Sequence, residues 1–434
     1  MWIDVTRLVG RRLKTRLPTG VDRVALAYVE RFGLGPAGGD PQRPAARALL
    51  RIGRLHLTLP PRASQAVFRW LIGAVDSPPS APWAAMAFGL LAAVPAALVD
   101  TWRWPVPQRH AQAGPWLINA GHSGLEHAHW ASGLRARGAR SLLVIHDLIP
   151  ITHPQFCRAG ESRRHAQRMR HALTWASAVV TNSQATLDAL AAWARAEHLP
   201  MPAATVARLG QGGGATPLGA ARRVGERPLQ QAYFVALGTL EPRKNHALLL
   251  KVWDRLVQRL GTSAAPRLVL IGQRGWEIES LLRELQRSPF LQGVVIERQH
   301  CCDAELAGWL AHAQALLMPS FVEGFGMPLV EGLAAGVPVL ASDLPVFREI
   351  AGAVPEYLDP LDGPAWLAAV ESYTRHDGQA RQAQIARLQD FRVPTWAGHF
   401  DAVEALMASG SVPQGTAARS ALAFSPPVAA RMPR

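Results

Sequence analysis

LLMPSFVEGFGMPLVEGLAAGVPVLASDLPVFRE, residues 316–349, decides the fold. Its apolar opening, ending at Met318, predicts a short buried strand, and Pro319 and Ser320 stop it. Gly324 and Gly326 loosen the backbone ahead of a helical segment from Pro328 to Ala335. A glycine-rich turn at the carboxyl end of a strand is where open parallel sheets bind ligands, and the amino end of a helix there offers free N–H groups to phosphate. Glu323 lies in the turn and Glu331 on the helix, so both carboxylates can face one bound molecule. Gly336, Val337 and Pro338 then turn the chain into the next strand, Val339 to Ala341, which completes a βαβ step of an α/β fold.

The strings EGFGMPLVE and GLAAGVPVLASDLPVFRE resemble the donor-binding signature of family 4 retaining glycosyltransferases, the glycosyl transferases group 1. That family has the GT-B fold, two Rossmann-like domains whose parallel sheets face a central cleft. The resemblance implies that Glu323 holds sugar hydroxyls, that Gly324, Phe325, Gly326 and Met327 offer backbone amides to the hexose, and that Glu331 contacts the nucleoside ribose.

At 434 residues the chain has room for two domains. Cys157, Cys301 and Cys302 make no disulfide framework and have no zinc spacing, so the reducing cytoplasm is the expectation. No apolar core of leader length follows Met1. Charge is uneven: residues 1–227 hold 28 Lys+Arg against 12 Asp+Glu, while 228–434 hold 18 against 20, so the whole excess is amino-terminal. Such a half expects an anionic neighbour, whether nucleic acid, a membrane leaflet or a phosphorylated substrate. The three lysines among 46 basic residues also fit a general bias toward arginine.

Residues 2–9 read as a strand, 11–16 as a basic loop, and 21–32 as a helix, with Gly20 in the phosphate-friendly loop between. RLPTGVDRVALAYVE is similar to the opening of a bacterial subgroup of family 4, where this loop faces the cleft. Residues 33–48 read as a loop. Residues 77–99 carry no charge; a core helix, a helix lying on the bilayer and a membrane span all remain open there. Ser141 to Ile145 reads as a buried strand ending in His146 and Asp147, where a sheet presents catalytic groups and Asp147 could orient the imidazole; a histidine satisfied in a tight turn is the competing reading. HDLIPITHP resembles the family loop in which the histidine lies beside the transferred sugar, which assigns His146 to the reaction centre. Arginines 158, 163, 164, 168 and 170 fall on one helix, as a solvated face or as a surface for anionic headgroups.

Glycine and proline cluster after Leu209 and mark a boundary: an amino-terminal domain over 1–215, a linker over 216–230, and a carboxyl-terminal domain over 231–393. Residues 394–408 read as a last amphipathic helix, which in GT-B proteins crosses back to the amino-terminal domain, and 409–434 as a disordered tail. Arg243 and Lys244, in GTLEPRKN before the helix 246–260, could grip a diphosphate with the helix dipole added, and the resemblance implies the same. By resemblance, Gly272 and Arg274 in GQRGWE line the nucleobase pocket, and Arg298 and Gln299 pack around the base. Asp303 reads as the cap of the helix that follows.

No Walker loop, no metalloprotease helix motif and no Asp-x-Asp site occurs, so neither metal nor other cofactor is expected and Arg243 and Lys244 take the diphosphate charge instead. The resemblance implies a retaining hexosyltransferase with a nucleotide-diphosphate sugar as donor, GDP-mannose first among candidates. The implied acceptor is a lipid-linked glycan or polysaccharide on the inner face of the plasma membrane, met from the cytoplasm through an anionic surface. A nucleotide-sugar 2-epimerase on the same fold would need further acid-base carboxylates. A nucleic-acid binder is suggested by basicity alone and lacks a groove-reading module, so no nucleic acid partner is expected.

Overall fold

The computed structural model describes residues 1–14, 18–35, 46–53, 55–73, 114–128, 130–135, 138–211, 227–375 and 378–409. The apolar stretch 77–99, the linker as far as 226 and the tail from 410 lie outside them. Two sheets organise the chain. The first contains β1 (Trp2–Asp4), β2 (Arg47–Ile52), β3 (Leu55–Thr58), β4 (Trp116–Asn119), β5 (Arg140–Ile145), β6 (Ala178–Thr181) and β7 (Ala203–Val206). They lie in the order β3-β2-β1-β4-β5-β6-β7, parallel except for the β2–β3 hairpin at one edge. The second contains β8 (Tyr233–Leu237), β9 (Arg267–Ile271), β10 (Val295–Arg298), β11 (Leu316–Met318), β12 (Val339–Ser342) and β13 (Glu356–Leu358). Its order is β10-β9-β8-β11-β12-β13 and every pairing is parallel.

These are doubly wound sheets of the GT-B fold. Sheets covered by helices on both faces need unbroken apolar strands, and the sequence supplies them as YFVAL, RLVLI and LLM, whose residues are almost all buried. Each sheet reverses its winding direction once, between β1 and β4 and between β8 and β11. At such a switch point adjacent crossovers leave in opposite directions and open a crevice beyond the strand ends. The functional question therefore narrows to the loops after β1, β4, β8 and β11.

The final helix, Trp396–Ala408, packs on the first sheet. Thr395 caps it by accepting from Gly398 N at 3.1 Å. His399 Nδ1 donates to Ala207 O at 3.0 Å, so its Nε2 accepts from the Tyr28 hydroxyl at 2.9 Å. Burial pushes this imidazole down to about 4, which keeps it neutral and preserves that hydrogen-bond pattern.

Three local expectations change. The strand read over 2–9 and the loop read from 11 give way to one helix: β1 stops at Asp4 and Thr6–Leu13 is helical, its Arg7 and Arg11, one turn apart, both binding the buried carboxylate of Asp22 at 2.7 Å. Asp303 is the first helical residue and no cap; the cap is Cys302, whose sulfur accepts from Glu305 N at 3.5 Å. Asp303 instead reaches Arg23 of the amino-terminal half at 2.8 Å. The loop over 33–48 ends by Arg47, where β2 begins, and β3 pairs with it in register Leu49↔Thr58. LHLTL alternates apolar and polar residues at strand period, the local signal for β3.

Candidate active site

Four loops converge where the two switch points face each other. After β8 the chain makes a tight turn, Pro242–Lys244, and Asn245 in left-handed conformation starts the helix His246–Ala264. Pro242 fixes the first turn, so Arg243 and Lys244 leave it side by side. After β11 the turn 319–326 leads into the helix Met327–Ala334, capped at Gly326. The two loops are tied through backbone, with Phe321 N donating to Arg243 O at 2.8 Å.

Glu323 sits between the cations. Arg243 Nη1 donates to Glu323 Oε2 at 2.6 Å, Lys244 Nζ to Oε1 at 2.5 Å, and Ser320 Oγ to Oε1 at 2.9 Å. Its side chain is only 7% exposed. Burial by itself would raise the carboxyl, and the charges of Arg243 and Lys244 outweigh it and bring the group down to about 2. Arg243 also pairs with Glu241, whose carboxyl is raised by burial in spite of that contact. Neighbouring His246, buried and close to both cations, is pushed down to about 3 and stays neutral. The result is a cationic pair at the amino end of a long helix, held by carboxylates. An incoming diphosphate would find the helix dipole and both cations already in place.

Glu331 lies on Met327–Ala334, half-buried, with no hydrogen bond or ion pair among the described residues. Burial raises its carboxyl. Acceptor oxygens without donors, one side of the nucleotide turn, are what a pair of vicinal hydroxyls would satisfy. Phe325 is buried, and Gly324 makes a close approach: a Cβ there would lie 2.6 Å from His146 O and 2.7 Å from Asp147 Cβ. Only a glycine lets the two strand ends meet.

His146 is therefore directly beneath the β11 turn, as the sequence places it, but Asp147 does not orient it. Asp147 Oδ1 accepts from Ile149 N at 3.0 Å and caps the next turn, while His146 Nε2 donates to Ala120 O at 2.8 Å. Burial keeps the imidazole below its usual range, so it is neutral and its Nδ1 is an acceptor. Gly20 opens the helix Gly20–Tyr28, and a Cβ there would meet nothing, so no steric demand fixes a glycine at that position. The residue that organises this loop is Asp22, which closes a capping box with Thr19 and binds Arg7 and Arg11.

Between the loops lies a cavity of about 870 Å³. Arg7, Arg158 and Phe156 line it from one half, and Arg243, Arg274 and Trp276 from the other. Phe156 stacks on Phe321 with ring centres 4.9 Å apart, and Arg158 lies over Trp276. Gly272 ends β9 with its backbone against Gly238. Arg274 pairs with Glu297 at 2.7 Å. Arg298 and Gln299 are exposed and do not line this cavity; Arg298 lies over the Trp309 ring instead.

The arginine row before β6 is partly paired, five guanidinium groups against the two carboxylates Glu161 and Glu197. Arg164 and Arg168 share Glu161, Arg170 binds Glu197, and Arg158 covers Trp276, so among the described residues Arg163 is the one of the five without such a partner.

The two halves touch around the β11 turn. Ser183 and Thr186 hydroxyls both donate to Gly324 O, at 2.9 and 3.2 Å. Glu349 accepts from the backbone N–H groups of Gln184 and Ala185, at 2.8 and 3.1 Å, and so caps the helix Gln184–Ala196 from the other domain.

Residues 220–354 match the family model of glycosyl transferases group 1. Over 228 residues the chain is 32% identical to the serotype-specific mannosyltransferase WbdA of Escherichia coli, a match covering 50% of this chain and 28% of that protein. It is 31% identical over 166 residues to the O-antigen chain mannosyltransferase B of Escherichia coli, covering 38% of this chain and 43% of the relative. These matches thus span less than half the length of either relative. In structure the chain is similar to Anabaena Alr3699/HepE, solved in complex with UDP-glucose, with a TM-score of 0.60, 15% identity, and coverage of 94% and 99%. A trehalose-phosphate synthase from Burkholderia vietnamiensis superposes with a TM-score of 0.58 at 14% identity, covering 95% and 99%. At such identities these two likenesses concern the fold.

Proposed function

We propose, from the match of residues 220–354 to the glycosyl transferases group 1, that the chain is a retaining hexosyltransferase whose donor is a nucleotide-diphosphate sugar. The observation that carries this is the Arg243–Lys244–Glu323 cluster at the switch point of the second sheet. Arg243 and Lys244 take the diphosphate, Glu323 is released to hold sugar hydroxyls, and Glu331 meets the ribose. In transfer the bond from the anomeric carbon to the diphosphate oxygen breaks and the acceptor oxygen bonds to that carbon. The hydroxyl proton leaves with the departing phosphate. The two cations stabilise the charge that develops on the leaving group, in a site already oriented before the donor arrives. No metal is needed in this scheme. Neutral His146, with its Nδ1 free to accept, orients a hydroxyl of the transferred sugar.

Mannose from GDP-mannose is the donor we favour, supported by the two mannosyltransferase relatives. The acceptor is a lipid-linked glycan or growing polysaccharide, reached at the inner face of the plasma membrane by a peripheral protein. Among the described residues no helix is long and apolar enough to cross a membrane.

The test is calorimetric titration of the whole chain, without added metal, with GDP-mannose, UDP-glucose and UDP-N-acetylglucosamine. Selective binding of GDP-mannose, followed by transfer with the α-anomer kept in the product, is the expected result. Binding of none of the three would overturn the donor assignment.

A further inference from the structure

A second cavity, of about 540 Å³, opens at the switch point of the first sheet, beyond the ends of β1, β2, β4 and β5. Arg7, Arg51 and Arg168 line it, together with His122, His146 and His165. Two of the arginines already have carboxylates, Arg7 with Asp22 at 2.7 Å and Arg168 with Glu161 at 2.9 Å. Arg51 makes no ion pair of that kind among the described residues; the carboxylate that feels its charge is the buried Asp4, which Arg51 pulls downward against the raising effect of burial. Its Nε and Nη1 are buried without a hydrogen-bond partner, and Nη2 makes only a 3.4 Å contact with Gly53 O. The Nη1 end of the guanidinium packs against Gly124, where a Cβ would come within 1.0 Å of it. Glu126 also lines the cavity, but its oxygen lies 3.7 Å from His127. A half-buried guanidinium with two donors left without an acceptor can take an anion as a fork.

The histidines add a second kind of recognition. His122 Nε2 donates to Val144 O at 2.7 Å, His146 Nε2 to Ala120 O, and His165 Nε2 to Asp147 O at 3.2 Å. With burial holding all three neutral, each keeps Nδ1 as an acceptor. Neutral imidazoles that accept suit the hydroxyls of a sugar. An arginine fork beside them suits an anion.

We propose that this cavity binds the anionic group of the acceptor, a phosphate or carboxylate carried by a sugar, with Arg51 as the residue that selects it. The word acceptor rests on the transferase reading above; the anion site itself does not. His146 lines this cavity, and the β11 turn packs directly on it, so a sugar held here lies against the donor loop.

The experiment is calorimetric titration of the full chain with mannose 1-phosphate, glucuronic acid and methyl α-mannoside, on the wild type, Arg51→Gln and Arg51→Lys. At least one anionic sugar is expected to bind about tenfold or more tightly than the neutral glycoside, as one charge-assisted fork implies. Which of the two does so distinguishes phosphate from carboxylate. Arg51→Gln should abolish the preference and Arg51→Lys should keep part of it, with melting temperatures close to wild type and GDP affinity unchanged. Equal binding of charged and neutral sugars overturns the proposal. So does a preference that survives Arg51→Gln, or no binding of either anionic sugar at millimolar concentration. Failure of every nucleotide sugar to bind would instead refute the donor assignment, and the Arg51 comparison would still be readable.

Discussion

Replacing Glu323 by glutamine separates the stabilising role of the cluster from its ligand-binding role. The carboxyl is held at about 2 against an ordinary 4.5. At about 1.36 kcal/mol per tenfold change in proton affinity, that difference is worth roughly 3 kcal/mol of folding stability at neutral pH. Because the folded value is the lower one, this contribution is complete above pH 4.5 and is lost as pH falls toward 2. Glu323→Gln should therefore unfold at lower urea than the wild type at pH 7, with a deficit of roughly 3 kcal/mol, and the two should converge on acidification below about 4.5. The same substitution frees Arg243 and Lys244 from their internal anion. GDP, which competes with Glu323 for those cations, should bind the variant at least as tightly as it binds the wild type, while sugar transfer falls. Urea titrations at pH 7, 5 and 3.5, with calorimetry for GDP, measure both. A deficit under about 1 kcal/mol at pH 7, or one that does not change down to pH 3.5, would refute the electrostatic account.

Lys244→Ala removes one charge-assisted contact and should weaken GDP binding by about 10- to 100-fold, the equivalent of about 1.5–3 kcal/mol; unchanged affinity by calorimetry would take Lys244 out of the site. Glu349→Ala leaves two helix N–H groups without an acceptor, and a loss of about 1 kcal/mol is expected in urea unfolding, together with a larger radius of gyration in solution scattering. Buried, neutral His122, His146, His165, His246 and His399 all have folded values below the ordinary 6.5. The unfolded chain then takes up protons first, so stability should fall as pH drops below 6.5, by up to about 1.4 kcal/mol per pH step for each histidine. A flat urea midpoint between pH 7.5 and 5 would contradict that.

The second sheet was legible because its strands are buried on both faces and its turns carry glycine and proline at fixed offsets. LLMPS and GVPVL announce their own ends. His146 follows β5 at the strand end where the sequence reads it, yet Asp147 is not its partner, because Asp147 takes the backbone N–H two residues on and the atom that meets the imidazole belongs to Ala120, just after β4. No local pattern encodes that contact. Likewise Arg243 and Lys244 read as cations open to a ligand, whereas their charges are already balanced by Glu323 from 79 residues further along for Lys244 and by Glu241 close by for Arg243. A single arginine in an edge hairpin has no signature in sequence; what marks Arg51 is the missing acceptor at its Nε and Nη1.

The carbonyl of Gly324 accepts from two hydroxyls of the amino-terminal domain, those of Ser183 and Thr186. The turn that would receive the sugar is thus held partly by residues of the other half of the molecule, and its shape depends on how closely the halves approach. Thermodynamic reciprocity then applies: whatever one substrate gains by drawing the halves together, the other gains equally. An acceptor seated on the first sheet would tighten the hold on the nucleotide sugar by the same factor that the nucleotide sugar tightens the hold on the acceptor. Order of addition would be a property of this one carbonyl as much as of either pocket.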